Sequence, residues 1–148
     1  MSNSSVMTTY NRIDIAFEKG QGAWLFDTDG NKYLDLLSGI AVCGLGHSHP
    51  AVTEAIQAQA GQLIHTSNLY QVPLQSALAS RLTDIAGMDK VFFSNSGAEA
   101  NEAAIKLARL HGHNKGVNNP NIIVVDSAFH GRTMATLTAT GNRKVQAG

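Results

Sequence analysis

The sequence predicts an α/β fold, and three observations carry that prediction. Val91-Phe92-Phe93 is a short run of strand-forming residues that passes through a polar turn into a long helical pattern. Ile122-Ile123-Val124-Val125 is a continuous aliphatic run, the kind buried on both faces of a parallel sheet. Two further helical stripes, opened by Pro50 and Pro73, come before them. A strand–helix–strand order demands a right-handed crossover. The loops Ser94 to Ala98 and Ser127 to Thr133 then fall beyond the carboxyl ends of the strands, where such sheets gather their functional groups.

Taken in order, residues 1 to about 20 read as a polar arm with little periodicity. Trp24-Leu25-Phe26 and Lys32-Tyr33-Leu34 flank Asp27-Thr28-Asp29-Gly30-Asn31, and Asp29-Gly30 predicts a hairpin turn between them. A glycine-rich stretch, Ser38 to Gly46, follows. Pro50 opens a helix whose mainly apolar face is Val52, Ala55, Ile56, Gln59, Ala60 and Leu63. A second helix begins near Pro73, carries the stripe Leu74, Ala77, Leu78, Leu82 and Ile85, and stops at Gly87. The third helix starts after Ser96. Ala100, Ala103, Ala104, Leu107 and His111 recur at helical spacing, Glu102 and Lys106 form an i,i+4 pair, and Gly112 is the expected stop. Gly112 to Asn121 is a polar connection. Thr133 to Thr140 predicts another helix, against the low helix propensity of its threonines. There are no internal repeats or low-complexity tracts.

The composition is that of a globular chain large enough for a real core: 148 residues, 43% apolar, 15% charged and formal net charge zero. No basic patch implies nucleic acid. Cys43 is the single cysteine, so no internal disulfide is possible and a reducing compartment is expected. The residues from Met1 to Thr9 lack the apolar region of a secretory signal, and Ile122–Val125 is far too short to span a bilayer. A cytoplasmic place is expected.

The segment from Phe92 to Arg109 holds the most chemistry. Ser96 suits a helix N-cap, and Glu99 three residues on completes a capping-box pattern. Gly97 and Ala98 have almost no side chain, so an anion can approach the backbone N–H groups of the first turn. The helix dipole favours an anion there by about 0.3–1 kcal/mol at an exposed site. A well-capped helix with nothing bound fits the same residues. On the second loop, Phe129 suits stacking on a flat ring and Arg132 suits a bidentate grip on a carboxylate. Singly, Phe129 also fits a core position and Arg132 a solvated charge. Together on one rim they describe a site for a phosphorylated aromatic cofactor that handles amino acids.

Ser94-Asn95-Ser96-Gly97-Ala98-Glu99-Ala100-Asn101-Glu102-Ala103-Ala104-Ile105-Lys106-Leu107-Ala108-Arg109, with Phe129-His130-Gly131-Arg132-Thr133, resembles the class III pyridoxal-phosphate aminotransferases. The resemblance extends to Asp29-Gly30-Asn31-Lys32-Tyr33-Leu34-Asp35, to Gly44-Leu45-Gly46-His47-Ser48-His49-Pro50 and to His65-Thr66-Ser67-Asn68-Leu69-Tyr70. It implies fold type I of the pyridoxal-phosphate-dependent transferases, here the N-terminal segment plus the first part of the large, mostly parallel sheet domain. Residues 1–45 would be an N-terminal arm and hairpin associated with the small domain, and 46–148 the beginning of the large cofactor-binding domain. Gly97 and Ala98 would hold the phosphate of pyridoxal 5'-phosphate, with Ser96 as cap and hydroxyl donor. Phe129 would stack on the pyridine ring, and Arg132 would bind a substrate carboxylate. Asn68 and Tyr70 would lie near the active site and the interface of a homodimer. Amino acids and 2-oxo acids are the implied substrates. Within the family, Ser38-Gly39-Ile40-Ala41-Val42 and Ser67-Asn68-Leu69-Tyr70 carry a finer resemblance.

The family's Schiff-base lysine and pyridinium aspartate lie downstream of these motifs. Lys106, Lys115 and Lys144 do not match the lysine, and Asp126 does not match the aspartate, so no catalytic residue is assigned. The chain is expected to be the N-terminal part of a longer aminotransferase and to have no transaminase activity alone. Other function classes fit less well. A nucleotide-binding module lacks Gly-x-x-x-x-Gly-Lys-Ser/Thr and Gly-x-Gly-x-x-Gly. His47-x-His49 has no evident third metal ligand, and a turn before Pro50 accounts for it. Cys43, in an apolar glycine-rich stretch, suits packing.

Overall fold

Alternating apolar and polar residues on either side of a tight turn make the first element of the computed structural model an antiparallel meander. The structure describes residues 5–147. Strands β1 (Phe17–Gln21), β2 (Trp24–Asp27) and β3 (Lys32–Leu34) pair in that order. The expected hairpin is β2–β3, with Trp24 opposite Leu34 and Phe26 opposite Lys32. Asp27 closes its turn. One carboxylate oxygen accepts from the Asp29 and Asn31 N–H groups at 3.0 and 2.8 Å, and the other accepts from Asn31 Nδ2 and the Tyr33 hydroxyl at 3.0 and 2.9 Å. These donors, the Asn31 amide foremost, hold the Asp27 carboxyl below the usual carboxylate value.

β1 corrects the reading of residues 1 to 20 as an arm, of which Met1–Ser4 lie outside the described residues. Phe17–Gln21 has weak strand character of its own, but the free edge of β2 supplies a ladder. Phe17 meets the Tyr33 ring edge-on at 5.4 Å, and Lys32 lies 3.9 Å over Trp24. Cross-strand contacts of this kind each contribute about 0.2–1 kcal/mol.

The glycine-rich stretch becomes α1 (Ser38–Ala41), a single turn of left-handed helix: φ is 51°, 64°, 62° and 60° at Ser38, Gly39, Ile40 and Ala41. Ala41 N–H donates to Leu37 O at 3.0 Å and Val42 N–H to Ser38 O at 2.9 Å. Asp35 braces the turn. One of its oxygens accepts from the Leu37 and Ser38 N–H groups, both at 2.9 Å, and the other meets His47 Nε2 at 2.7 Å. The His47 ring, then these N–H groups, lower the Asp35 pKa. The His47 ring is thereby engaged in a hydrogen bond, and its backbone exchanges two hydrogen bonds with Gly22. Helix α2 (Pro50–Ala60) starts on Pro50 as expected. It ends before Leu63, whose carbonyl accepts from Gln59 Nε2 at 2.7 Å.

The chain parts into two compact units between Tyr70 and Gln71. The second unit opens with α3 (Pro73–Ala86), capped by Gly87 at φ 63°. Helix α4 (Gly97–Asn114) outruns its expected stop by two residues. Gly112 serves a close approach instead: a Cβ there would fall 2.7 Å from Pro120 Cβ, where the connection folds back on the helix. Arg109 Nη1 donates to Pro120 O at 3.0 Å and pins the same loop. Short helices α5 (Met134–Ala139) and α6 (Arg143–Gln146) complete the unit.

The two expected parallel strands carry no ladder among the described residues. A strand exists only where a neighbour takes its N–H and C=O groups. Ile123 is 97% exposed and Val125 77%, so these segments have neither ladder nor cover. Among the described residues no apolar side chain is fully buried. No described helix is long and apolar enough to cross a membrane.

Candidate cofactor-anchoring site

Ser96 caps α4 as the sequence predicts. Its backbone is extended (φ −153°, ψ 161°), and its Oγ accepts from the Glu99 N–H at 3.2 Å. The reciprocal half of the capping box closes one residue further back than expected. Glu99 Oε2 accepts from the Asn95 N–H at 2.7 Å, and Glu99 Oε1 accepts from Asn95 Nδ2 at 3.3 Å. That folds the carboxylate against the turn before the helix. A Cβ built on Gly97 would meet nothing within 4 Å, so the backbone of the first turn faces open space. Unencumbered N–H groups at the positive end of an 18-residue helix are what a phosphate needs.

The second loop is held against this helix start at three points. Asn101 Nδ2 donates to His130 O at 2.8 Å. The Thr133 hydroxyl donates to Glu102, which turns to it rather than to Lys106. Gly131 lies so close that a Cβ would fall 2.9 Å from Ala98 Cβ and 2.7 Å from Thr136 Oγ1, and its φ of 127° is one that L side chains rarely adopt. The loop therefore carries Phe129 and Arg132 beside the first turn of α4. Phe129 is 70% exposed, and Arg132 is also exposed. His130 Nδ1 is buried without a hydrogen-bond partner among the described residues.

Ser96, Gly97, Ala98, Phe129 and Arg132 thus belong to one unit and one neighbourhood. Asn68 and Tyr70 belong to the first unit. Sequence reasoning missed Asn101, Gly131, Thr136 and Thr140, the residues that hold the loop. A faint signal was present: threonines crowding a predicted helix have hydroxyls that seek backbone partners. An open helix start, a small side chain behind it, an exposed aromatic and an arginine fit a phosphorylated ring compound. The orphaned imidazole nitrogen beside them leaves a further polar group to satisfy.

The polar turn and the long capped helix place the candidate site at the start of α4. The chain belongs to the aminotransferase class III family, whose profile matches residues 6–148. It is 64% identical over 145 residues to the acetylornithine aminotransferase of Nitrosomonas europaea, covering 98% of this chain and 37% of that relative. It is 53% identical over 146 residues to acetylornithine aminotransferase 1 of Bordetella parapertussis, again covering 37% of the relative. The chain thus spans little more than a third of the curated relatives it matches.

Among solved structures, the ornithine aminotransferase of Toxoplasma gondii superposes with a TM-score of 0.86 at 28% identity, over 95% of this chain and 34% of that one. The N-acetylornithine aminotransferase of Stenotrophomonas maltophilia gives 0.76 at 41% identity, over 82% of this chain and 34% of that one. Over the part it spans, the chain has the type I fold of pyridoxal-phosphate-dependent aminotransferases. A second structure of the Toxoplasma enzyme has the cofactor at partial occupancy in its active site.

Proposed function

We propose that this chain carries the phosphate anchor, ring platform and carboxylate clamp of an acetylornithine aminotransferase, acting between N-acetylornithine and 2-oxoglutarate in arginine biosynthesis. The observation that carries the reading is the seating of Phe129 and Arg132 beside the open first turn of α4, tied there through Asn101. The Gly97 and Ala98 N–H groups would hold the phosphate of pyridoxal 5'-phosphate, with Ser96 as cap. Phe129 would pack on the pyridine ring. Arg132 would orient a substrate carboxylate by paired N–H donors. When bound, the cofactor supplies the electron sink for transamination. The residues here would bind and orient; no proton transfer is assigned to any of them.

In this reading residues 46–148 begin the large domain, and residues 1–45 associate with the small one. Ile122–Val125 finds its ladder partners in the remainder of the enzyme, which works as a cytoplasmic homodimer. The donor assignment rests on the 64% identity to the Nitrosomonas enzyme. Ornithine, succinylornithine and 4-aminobutyrate are the rival donors.

A panel of these four donors with 2-oxoglutarate on the full enzyme tests the assignment. The highest kcat/KM is expected for N-acetylornithine; a higher value for any rival overturns it. In the same assay Arg132→Ala raises the KM for the carboxylate substrate by roughly tenfold or more, as loss of a charge-assisted pair predicts.

A further inference from the structure

Thr136 and Thr140 are the buried polar side chains of the second unit among the described residues, at 0% and 3% exposure. Buried hydroxyls need partners, and theirs lie in one place. Thr136 Oγ1 accepts from the Thr133 N–H at 3.1 Å and pairs with Thr133 Oγ1 at 2.7 Å. The Thr133 hydroxyl in turn donates a hydrogen bond to the Glu102 carboxylate on α4. Thr140 Oγ1 accepts from the His130 N–H at 3.1 Å and donates back to Thr136 O at 3.0 Å or Gly131 O at 3.2 Å. Asn101 takes up the other backbone group of the same residue, His130 O, at 2.8 Å.

The backbone of His130 is thus gripped on both sides, by its N–H from Thr140 just past the end of α5 and by its C=O from Asn101 on α4. Its neighbours along the chain are Phe129 and Gly131, with Arg132 one residue further. An apolar core would bury this loop without setting its azimuth, because dispersion contacts have no direction. Hydrogen bonds do.

We propose that Asn101, Thr136 and Thr140 are positioning residues. They form a polar clamp on the His130 backbone that sets the Phe129 ring and the Arg132 guanidinium over the anion-binding helix start. This inference rests on the reading of that helix start as the anchor for pyridoxal 5'-phosphate. It adds residues that touch neither cofactor nor substrate.

The test uses three variants of the full enzyme. Thr140→Val keeps the volume and removes the hydroxyl, Thr140→Ser restores it, and Asn101→Ala cuts the clamp from the helix side without emptying the core. Two quantities are read: the Kd for pyridoxal 5'-phosphate by fluorescence titration, and tryptic cleavage of the Arg132–Thr133 bond without cofactor, normalised to cleavage after Lys115. Thr140→Val and Asn101→Ala are expected to cleave roughly five- to tenfold faster and to bind roughly tenfold more weakly, as loss of a buried hydrogen bond predicts. Thr140→Ser is expected to recover most of both.

If Thr140→Val does not fold, Asn101→Ala decides alone. A Kd within twofold of the unsubstituted protein, or unchanged cleavage, overturns the clamp. Failure of the unsubstituted protein to bind the cofactor overturns the anchor reading instead.

Discussion

At the residue scale, Ile40 has φ 62° in the middle of a left-handed turn and is 80% exposed. Left-handed helical backbone costs an L-residue roughly 1–2 kcal/mol. Glycine escapes that cost but gives up about 0.5–1 kcal/mol of chain entropy on folding. Little burial is at stake, so the steric term wins. Ile40→Gly is expected to raise stability by about 0.5–1 kcal/mol, read as a higher midpoint in urea denaturation. A lower midpoint would show that the Ile40 side chain supports the turn. Such a turn persists only because its surroundings over-determine it. Asp35, holding two N–H groups and His47 at once, is the residue that does so.

Two elements show opposing terms of similar size. Gly112 lies inside α4, where alanine is intrinsically better by about 1 kcal/mol. A Cβ there would stand 2.7 Å from Pro120 Cβ and 2.8 Å from Pro120 Cγ, on a ring with no rotamer to yield. Overpacking of that kind costs about 1–3 kcal/mol. Gly112→Ala is therefore expected to destabilise the second unit despite its helix propensity, seen as a lowered thermal midpoint. A rise would mean that the connection simply moves away.

The β2–β3 hairpin has its own pH signature. Asp27 and Asp35 both have folded pKa values below their ordinary 3.8, so they add stability above that pH and lose it as pH falls through the folded values. Tyr33, raised above 10.0 chiefly by its hydrogen bond to Asp27, adds stability below pH 10 that is lost on further alkalinisation. The meander is expected to show a stability plateau with an acid limb beginning below pH 4. Asp27→Asn should flatten that limb in a series of melts monitored by circular dichroism. An unchanged limb would place the acid-sensitive group elsewhere.

At the scale of the whole molecule, exposed apolar surface dominates. Phe92, with Ala103, Leu107 and Leu110 of α4, lines an open apolar groove of about 730 Å³. Ile123 and Val125 stand on the extended segment that follows Pro120. Monomeric proteins rarely leave contiguous apolar surface on this scale uncovered. The chain studied alone is expected to bind a hydrophobic dye strongly and to self-associate with rising concentration. Ile123→Lys with Val125→Lys should reduce both effects, measured by dye fluorescence and sedimentation. Weak dye binding by the unsubstituted chain would show that these faces are already covered.

Much of this molecule was legible locally. Pro50, Pro73, Gly87 and Ser96 mark helix ends because each acts through its own backbone or the next turn. The Asp29-Gly30 turn fixes a hairpin for the same reason. What the sequence determined by itself was therefore the hairpin, the main helix starts and the family. Tertiary structure alone decided the rest. It made a strand of Phe17–Gln21 by offering an edge, and withheld ladders from Val91–Phe93 and Ile122–Val125 by offering none. It carried α4 past Gly112 because Pro120 needed the space, and turned two ordinary hydrogen bonds, from Asn101 and to Thr140, into a clamp on the backbone of one residue. A hydrogen bond between residues far apart in the chain depends on where the rest of the backbone goes, and no local propensity encodes that.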